Sequence, residues 1–99
     1  VEFQYESNRI FAENRDHQLV GEIVFPAIDD ANPSSVVVER TFVNPAFRGQ
    51  NIAAVLVDEF VKYAEQHHLK VQLLCPYAKR QFEQQPDYQK LLKPEDRFN

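Results

Sequence analysis

The feature that most constrains the fold is the stretch from Asn51 to His67. Ile52, Leu56, Phe60 and Ala64 recur at helical spacing, and Ala53, Val57 and Val61 widen the stripe. Asp58, Glu59, Lys62, Glu65 and Gln66 fall on the other side. This pattern predicts one long amphipathic helix with a face to bury. Asp58 and Lys62 add a favourable pair one turn apart. Strand patterns flank the helix. Ser35–Val43 is rich in β-branched residues and predicts a central strand, ended by Asn44-Pro45 because proline cannot donate to a continuing ladder. Val71–Leu74 predicts a short strand stopped at Cys75-Pro76. A strand–helix–strand unit of this kind implies a parallel pair with a right-handed crossover.

The chain before this unit reads as strands joined by tight turns, hence antiparallel. Val1–Glu6 alternates, with Val1, Phe3 and Tyr5 on one face, and Ser7-Asn8 is a turn signal. Arg9–Asn14 comes next, built around Ile10 and Ala12, and Asn14–His17 turns again. Leu19–Phe25 is a third strand, with Leu19, Gly21, Ile23 and Phe25 opposite Val20, Glu22 and Val24. Residues 29–34 are a loop. Beyond the second flanking strand, Ala78–Gln84 and Pro86–Leu92 predict two short helices, and Lys93–Asn99 a polar, frayed tail. The expected fold class is α+β with a mixed, mainly antiparallel sheet, as one domain over residues 1–93 with a tail over 94–99.

Composition narrows the function classes. At 99 residues, 43% hydrophobic and 26% charged, the chain is an ordinary globular domain with little stability to spare. No apolar run approaches the roughly 18 residues that span a bilayer, so no membrane role is expected. The first residues have neither the basic start nor the apolar run of a secretory signal. A single Cys forms no internal disulfide, which points to a reducing, cytoplasmic setting. The net charge of −4 argues against non-specific nucleic-acid binding, which needs phosphate neutralisation. It hides an asymmetry: residues 1–39 carry eight acidic and two basic groups, whereas residues 70–93 carry five basic and two acidic ones. The basic stretch suits a small polyanion or is simply solvated surface.

The turn before the long helix is where chemistry is most expected. A helix N-terminus offers unpaired N–H groups and partial positive charge, Arg48 adds a full charge, and Gly49 lets the backbone approach a ligand. The sequence is neither a Walker A loop nor a dinucleotide fingerprint, since their glycines and Lys-Ser/Thr are missing. By spacing alone it is an anion site or a plain loop.

The segment Thr41-Phe42-Val43-Asn44-Pro45-Ala46-Phe47-Arg48-Gly49-Gln50-Asn51-Ile52-Ala53 resembles the strand, turn and helix start that hold the pyrophosphate in the GNAT superfamily of N-acetyltransferases. That superfamily's pattern is Gln/Arg-x-x-Gly-x-Gly/Ala; Arg48 matches its first position and Ala53 its last, while Asn51 stands where the middle Gly is usual. Asn tolerates the left-handed conformation better than most residues. Leu74-Cys75-Pro76-Tyr77 followed by Pro86-Asp87-Tyr88 resembles a small single-domain branch with a Cys-Pro-Phe/Tyr motif. The resemblance covers about residues 19–92. It implies a minimal GNAT-like fold and a site for acetyl-CoA or coenzyme A made by Thr41, Phe42, Val43, Arg48, Gly49, Gln50, Asn51, Ile52, Ala53, Cys75 and Tyr77. It also implies transfer of an acetyl group to an amine, whose identity nothing in the sequence specifies, by a monomer. That branch typically has a His before the Thr of the central strand, where this chain has Arg40.

Four side chains are candidates for the chemistry: Cys75, Glu39, Tyr77 and Tyr88. Cys75 is a buried small hydrophobe, a lining of the thioester channel, or an acyl-accepting nucleophile that needs activation. Glu39 is a candidate base for the acceptor amine, and Tyr77 and Tyr88 are candidate acids for the leaving thiolate. Backbone N–H groups near Thr41–Val43 are candidates to polarise the acyl carbonyl. The alternative to catalysis is a CoA-binding or protein-interaction module. His67 and His68 are neighbours and cannot chelate together, and no metal site is expected.

Overall fold

The computed structural model describes residues 2–98. Strands β1 (Glu2–Glu6), β2 (Arg9–Glu13) and β3 (Leu19–Val24) form an antiparallel meander, and β5 (Arg40–Val43) adds to β3, giving the order β1-β2-β3-β5. Strand β4 (Ser35–Val38) pairs in parallel with β6 (Lys70–Leu73). Helix α1 (Ile52–Gln66) is the crossover, and α2 (Pro76–Gln84) comes after β6. The fold is thus α+β with a mainly antiparallel sheet, as the pattern of elements predicts.

The helix stripe is buried as expected. Ile52, Leu56, Val57, Phe60, Val61 and Ala64 face the sheet and meet Ile10, Ala12, Val20, Ile23 and Phe25. Each large side chain so buried contributes about 1.5–3 kcal/mol. Phe60 packs on Phe25 with ring centroids 4.7 Å apart. Gly21 sets how closely α1 lies on the sheet: a Cβ there would stand 2.8 Å from the Phe42 carbonyl oxygen and 3.0 Å from Leu56 Cδ1. Asp58 pairs with Lys62 at 3.2 Å and accepts a hydrogen bond from the Tyr88 hydroxyl at 3.1 Å.

Four expectations need correction. The strand predicted as continuous over Ser35–Val43 breaks at Glu39. The Glu39 N–H donates to the Val24 carbonyl at 2.9 Å, and Arg40 also pairs with Val24, so two residues face one. This bulge bends the strand and re-aims Arg40–Val43. In β3, Val20 is buried alongside Gly21, not opposite it, because the β2–β3 register slips there: Ala12 faces Gly21 while Glu13 faces Leu19. The second helix begins at Pro76, not Ala78, and Pro86–Leu91 is a 3-10 turn. The C-terminal segment is tied down rather than frayed as far as Phe98. The Arg97 Nε donates to the Leu92 carbonyl at 3.2 Å, and the Phe98 N–H donates to Gln89 Oε1 at 3.0 Å.

Candidate functional site

The bend at Glu39 opens a gap between β5 and β6. The N–H groups of Leu74 and Cys75 both donate to the Val38 carbonyl, at 2.9 and 3.0 Å, and the chain then leaves the sheet into α2. Beyond Val38, β5 has no partner on that side among the described residues. Its register with β3 pairs Phe42 with Glu22, and the Asn44 N–H donates to the Val20 carbonyl at 2.8 Å. By strand alternation, the N–H groups of Thr41 and Val43 face the gap.

The turn that leads into α1 is held at both ends. Asn44 Nδ2 donates to the Leu19 carbonyl at 2.9 Å, and Asn44 Oδ1 accepts from the Ala46 N–H at 3.0 Å. Pro45 then starts a 3-10 turn, Pro45–Phe47. Two left-handed residues come next: Gly49 with φ 89° and Asn51 with φ 63°. Asn51 adopts the conformation that a glycine at this position would supply. The Val55 N–H closes the first helical bond to the Asn51 carbonyl at 3.2 Å, and no side chain caps the terminus. The N–H groups of Ile52, Ala53 and Ala54 therefore have no partner within the helix.

These three residues line one pocket of about 350 Å³ together with Thr41, Val43, Arg48, Gly49, Asn51 and Tyr77. The pocket thus joins a bare helix N-terminus, a cationic side chain and the unpaired edge of β5. That combination is complementary to a ligand with a phosphate group at one end and an extended polar chain that can pair with a strand.

Cys75 sits behind the pocket wall, 6% exposed, at the N-cap position of α2. Burial opposes ionisation of its thiol. The Ala78 N–H, the Thr41 hydroxyl and the N–H groups of Tyr77 and Thr41 outweigh it and hold the thiol below the ordinary value. The Thr41 Oγ1 lies 3.6 Å from the sulfur. Tyr77, half-buried, is pushed up by burial, with the Cys75 charge adding to this and Arg80 opposing it, so it stays protonated at neutral pH. Tyr88 is pushed up to about 12 by burial and by its hydrogen bond to Asp58, which commits its hydroxyl away from the pocket.

Five residues that the sequence singles out do not line this pocket: Glu39, Phe42, Gln50, Cys75 and Tyr88. Glu39 is exposed at the bulge. Phe42 stands on the opposite sheet face, where the Arg40 guanidinium lies 4.7 Å from its ring centroid and 3.7 Å from Glu22. Arg40 is therefore turned away from the pocket. Sequence reasoning misses Ala54, whose signal is its place as the third N–H of the helix. It also misses that Cys75 occupies the N-cap position of α2, although Pro76 at the first helical position marks it.

The sequence model of the GCN5-related N-acetyl-transferase family matches residues 9–91. No curated protein matches the sequence. Among solved structures, a GCN5-like protein from Staphylococcus aureus superposes with a TM-score of 0.71 at 22% identity, covering 93% of this chain and 87% of that one. The ribosomal-protein-alanine N-acetyltransferase from Brucella melitensis gives 0.56 at 25% identity over 77% of this chain and 59% of its own. A Mycobacterium tuberculosis protein solved in complex with CoA gives 0.58 at 21% identity over 78% of this chain and 46% of its own.

Proposed function

The chain belongs to the GCN5-related N-acetyltransferase family, and from that premise we propose that it binds acetyl-CoA at the start of α1 and transfers the acetyl group to an amine. The observation that carries this reading is the convergence of three uncapped N–H groups, at Ile52, Ala53 and Ala54, with Arg48 in one pocket beside the open edge of β5. The solved complex of a structural relative with CoA supports it.

In this reading the pyrophosphate lies against the α1 N-terminus and Arg48, where the helix dipole and the guanidinium offset its charge. The pantetheine amides pair with the open edge of β5 at the Val43 N–H, as an added strand would. Acetyl-CoA supplies an activated acyl group. The neutral acceptor amine attacks the thioester carbonyl carbon, the carbon–sulfur bond breaks, the new amide nitrogen releases its extra proton to solvent water, and the departing thiolate takes a proton from a donor that solvent then reprotonates. Tyr77, protonated and lining the pocket, is the donor for that proton. The second catalytic reading, in which Cys75 accepts the acetyl group first, draws on the ring of donors around its sulfur. The non-catalytic reading draws on Arg40, which faces away from the pocket and offers no base there.

Thermal shift and intact mass with acetyl-CoA separate these. A ligand at a hundredfold excess over its Kd stabilises by about 2.7 kcal/mol, so a rise in Tm of roughly 10 °C is expected. Arg48→Ala should weaken binding about tenfold, the loss of one charge-assisted contact. An acetyl adduct absent from Cys75→Ala selects the covalent route. Turnover of an amine with no adduct selects direct transfer. Binding without turnover of any amine leaves the non-catalytic module, and no rise in Tm overturns the proposal.

A further inference from the structure

A second cavity, of about 430 Å³, lies elsewhere in the fold and is lined by Gln72, Leu73, Lys79, Leu92, Asp96 and Phe98. It shares no lining residue with the pocket at α1. Tyr77 and Lys79 are two residues apart on α2, so they point to different sides of that helix. The cavity exists because the C-terminal segment folds back. Gln89 Nε2 donates to the Phe82 carbonyl at 3.2 Å, and Gln89 Oε1 accepts from the Phe98 N–H at 3.0 Å. The partly buried Leu73 and Phe98 supply apolar surface, with the buried Leu92 beneath them.

The charges on its rim are of opposite sign. Lys79 comes from α2 and Asp96 from the C-terminal segment. Among the described residues, neither takes part in an ion pair, with the other or with any third group. The rim also carries one neutral amide, Gln72, which can donate and accept. A volume of this size falls within the about 300–1,000 Å³ of small-molecule sites.

We propose that this cavity binds a small zwitterion of the α-amino-acid type, its carboxylate toward Lys79, its ammonium toward Asp96 and its apolar side chain on Leu73, Leu92 and Phe98. A ligand with only one charge makes one of the two charge pairings and forgoes the other, which lowers its affinity relative to a zwitterion. A ligand with both charges satisfies both rim groups at once. The site is independent of the CoA pocket and does not rest on the acetyltransferase reading.

The test is a titration of the full-length, 15N-labelled protein with L-leucine, L-glutamine and L-lysine at constant ionic strength. Isoamylamine and 4-methylpentanoate serve as single-charge controls. At least one amino acid should give saturable shifts of the Gln72, Leu73, Lys79 and Asp96 amides, and the single-charge compounds should bind about tenfold more weakly. Lys79→Gln and Asp96→Asn, both at exposed positions, should each weaken binding about tenfold while the amide spectrum stays folded. No saturable shift with any of the three amino acids overturns the proposal. So does a control that binds as tightly as the amino acid, or full binding by both variants. CoA added to the same samples reads the Arg48–Ala54 amides, so failure of one site is distinguishable from failure of the other.

Discussion

The Thr41 hydroxyl and the Cys75 sulfur, 34 residues apart in the chain, lie 3.6 Å from each other where β5 parts from the start of α2. The thiol donates to Thr41 Oγ1, and a thiolate would accept from the Thr41 hydroxyl instead. Thr41 also lines the pocket, so it connects the buried sulfur to the space in front of it.

Thr41→Val removes that donor while keeping the shape of the side chain. Burial works against the Cys75 thiolate, and the surrounding donors overcome it, so the thiol is held low. A depressed value means that ionised Cys75 adds stability above the unfolded-state thiol value and loses it as pH falls through the folded value. The alkylation rate with iodoacetamide should reach half its maximum at a lower pH than that of a free cysteine thiol measured alongside, and Thr41→Val should move that midpoint upward. A wild-type midpoint at or above the free-thiol value would contradict the geometry.

Asn51, left-handed at φ 63°, begins α1. Asn51→Ala should destabilise by about 1 kcal/mol in urea unfolding, because a Cβ without a compensating polar group disfavours this conformation. Asn51→Gly should keep the backbone and, by clearing a side chain from the pocket lining, tighten CoA binding in calorimetry. Equal losses of stability in both variants would show that the side chain, not the conformation, matters.

Gly21→Ala places a methyl group 2.8 Å from the Phe42 carbonyl oxygen and 3.0 Å from Leu56 Cδ1. The first neighbour is backbone and cannot rotate away. Overpacking of this kind costs about 1–3 kcal/mol. For a domain of this size the Tm should fall by several degrees in a calorimetric scan, with CoA affinity lowered as α1 shifts off the sheet.

Tyr88→Phe tests the tie between α1 and the segment after α2. Burial first, then the hydrogen bond to Asp58, pushes the Tyr88 hydroxyl from 10.0 up to about 12. A raised value means its contribution is complete below the unfolded value and is lost as pH rises through the folded one. The wild type should therefore lose stability between pH about 10 and 12, and Tyr88→Phe should lose less. Tyr5, also pushed to about 12 chiefly by its hydrogen bond to Glu59, leaves a residual slope in the variant. At neutral pH the substitution should cost about 1 kcal/mol, one hydrogen bond.

The elements were legible where periodicity is local. The spacing of Ile52, Leu56, Phe60 and Ala64 fixes both the helix and its buried face, and it matches the buried residues of α1. The turn was legible because Gly49 and Asn51 are residue types that accept positive φ. The Val20 burial was not legible, since a one-residue bulge inverts the faces on either side and leaves no mark in the alternation itself.

The sequence by itself determined the strand–helix–strand unit, the left-handed turn and the helix N-terminus, because each arises from the conformational preferences of neighbouring residues. Only the tertiary structure decided that Ser35–Val43 breaks at Glu39, that Arg40 and Phe42 face away from the pocket, and that Cys75 lies among the N–H groups of α2 and the Thr41 hydroxyl. Those outcomes depend on where β6 stops pairing with β4, at the Val38 carbonyl that two N–H groups share. That carbonyl and its donors are more than 30 residues apart in sequence, so no local pattern encodes the opening that their pairing creates.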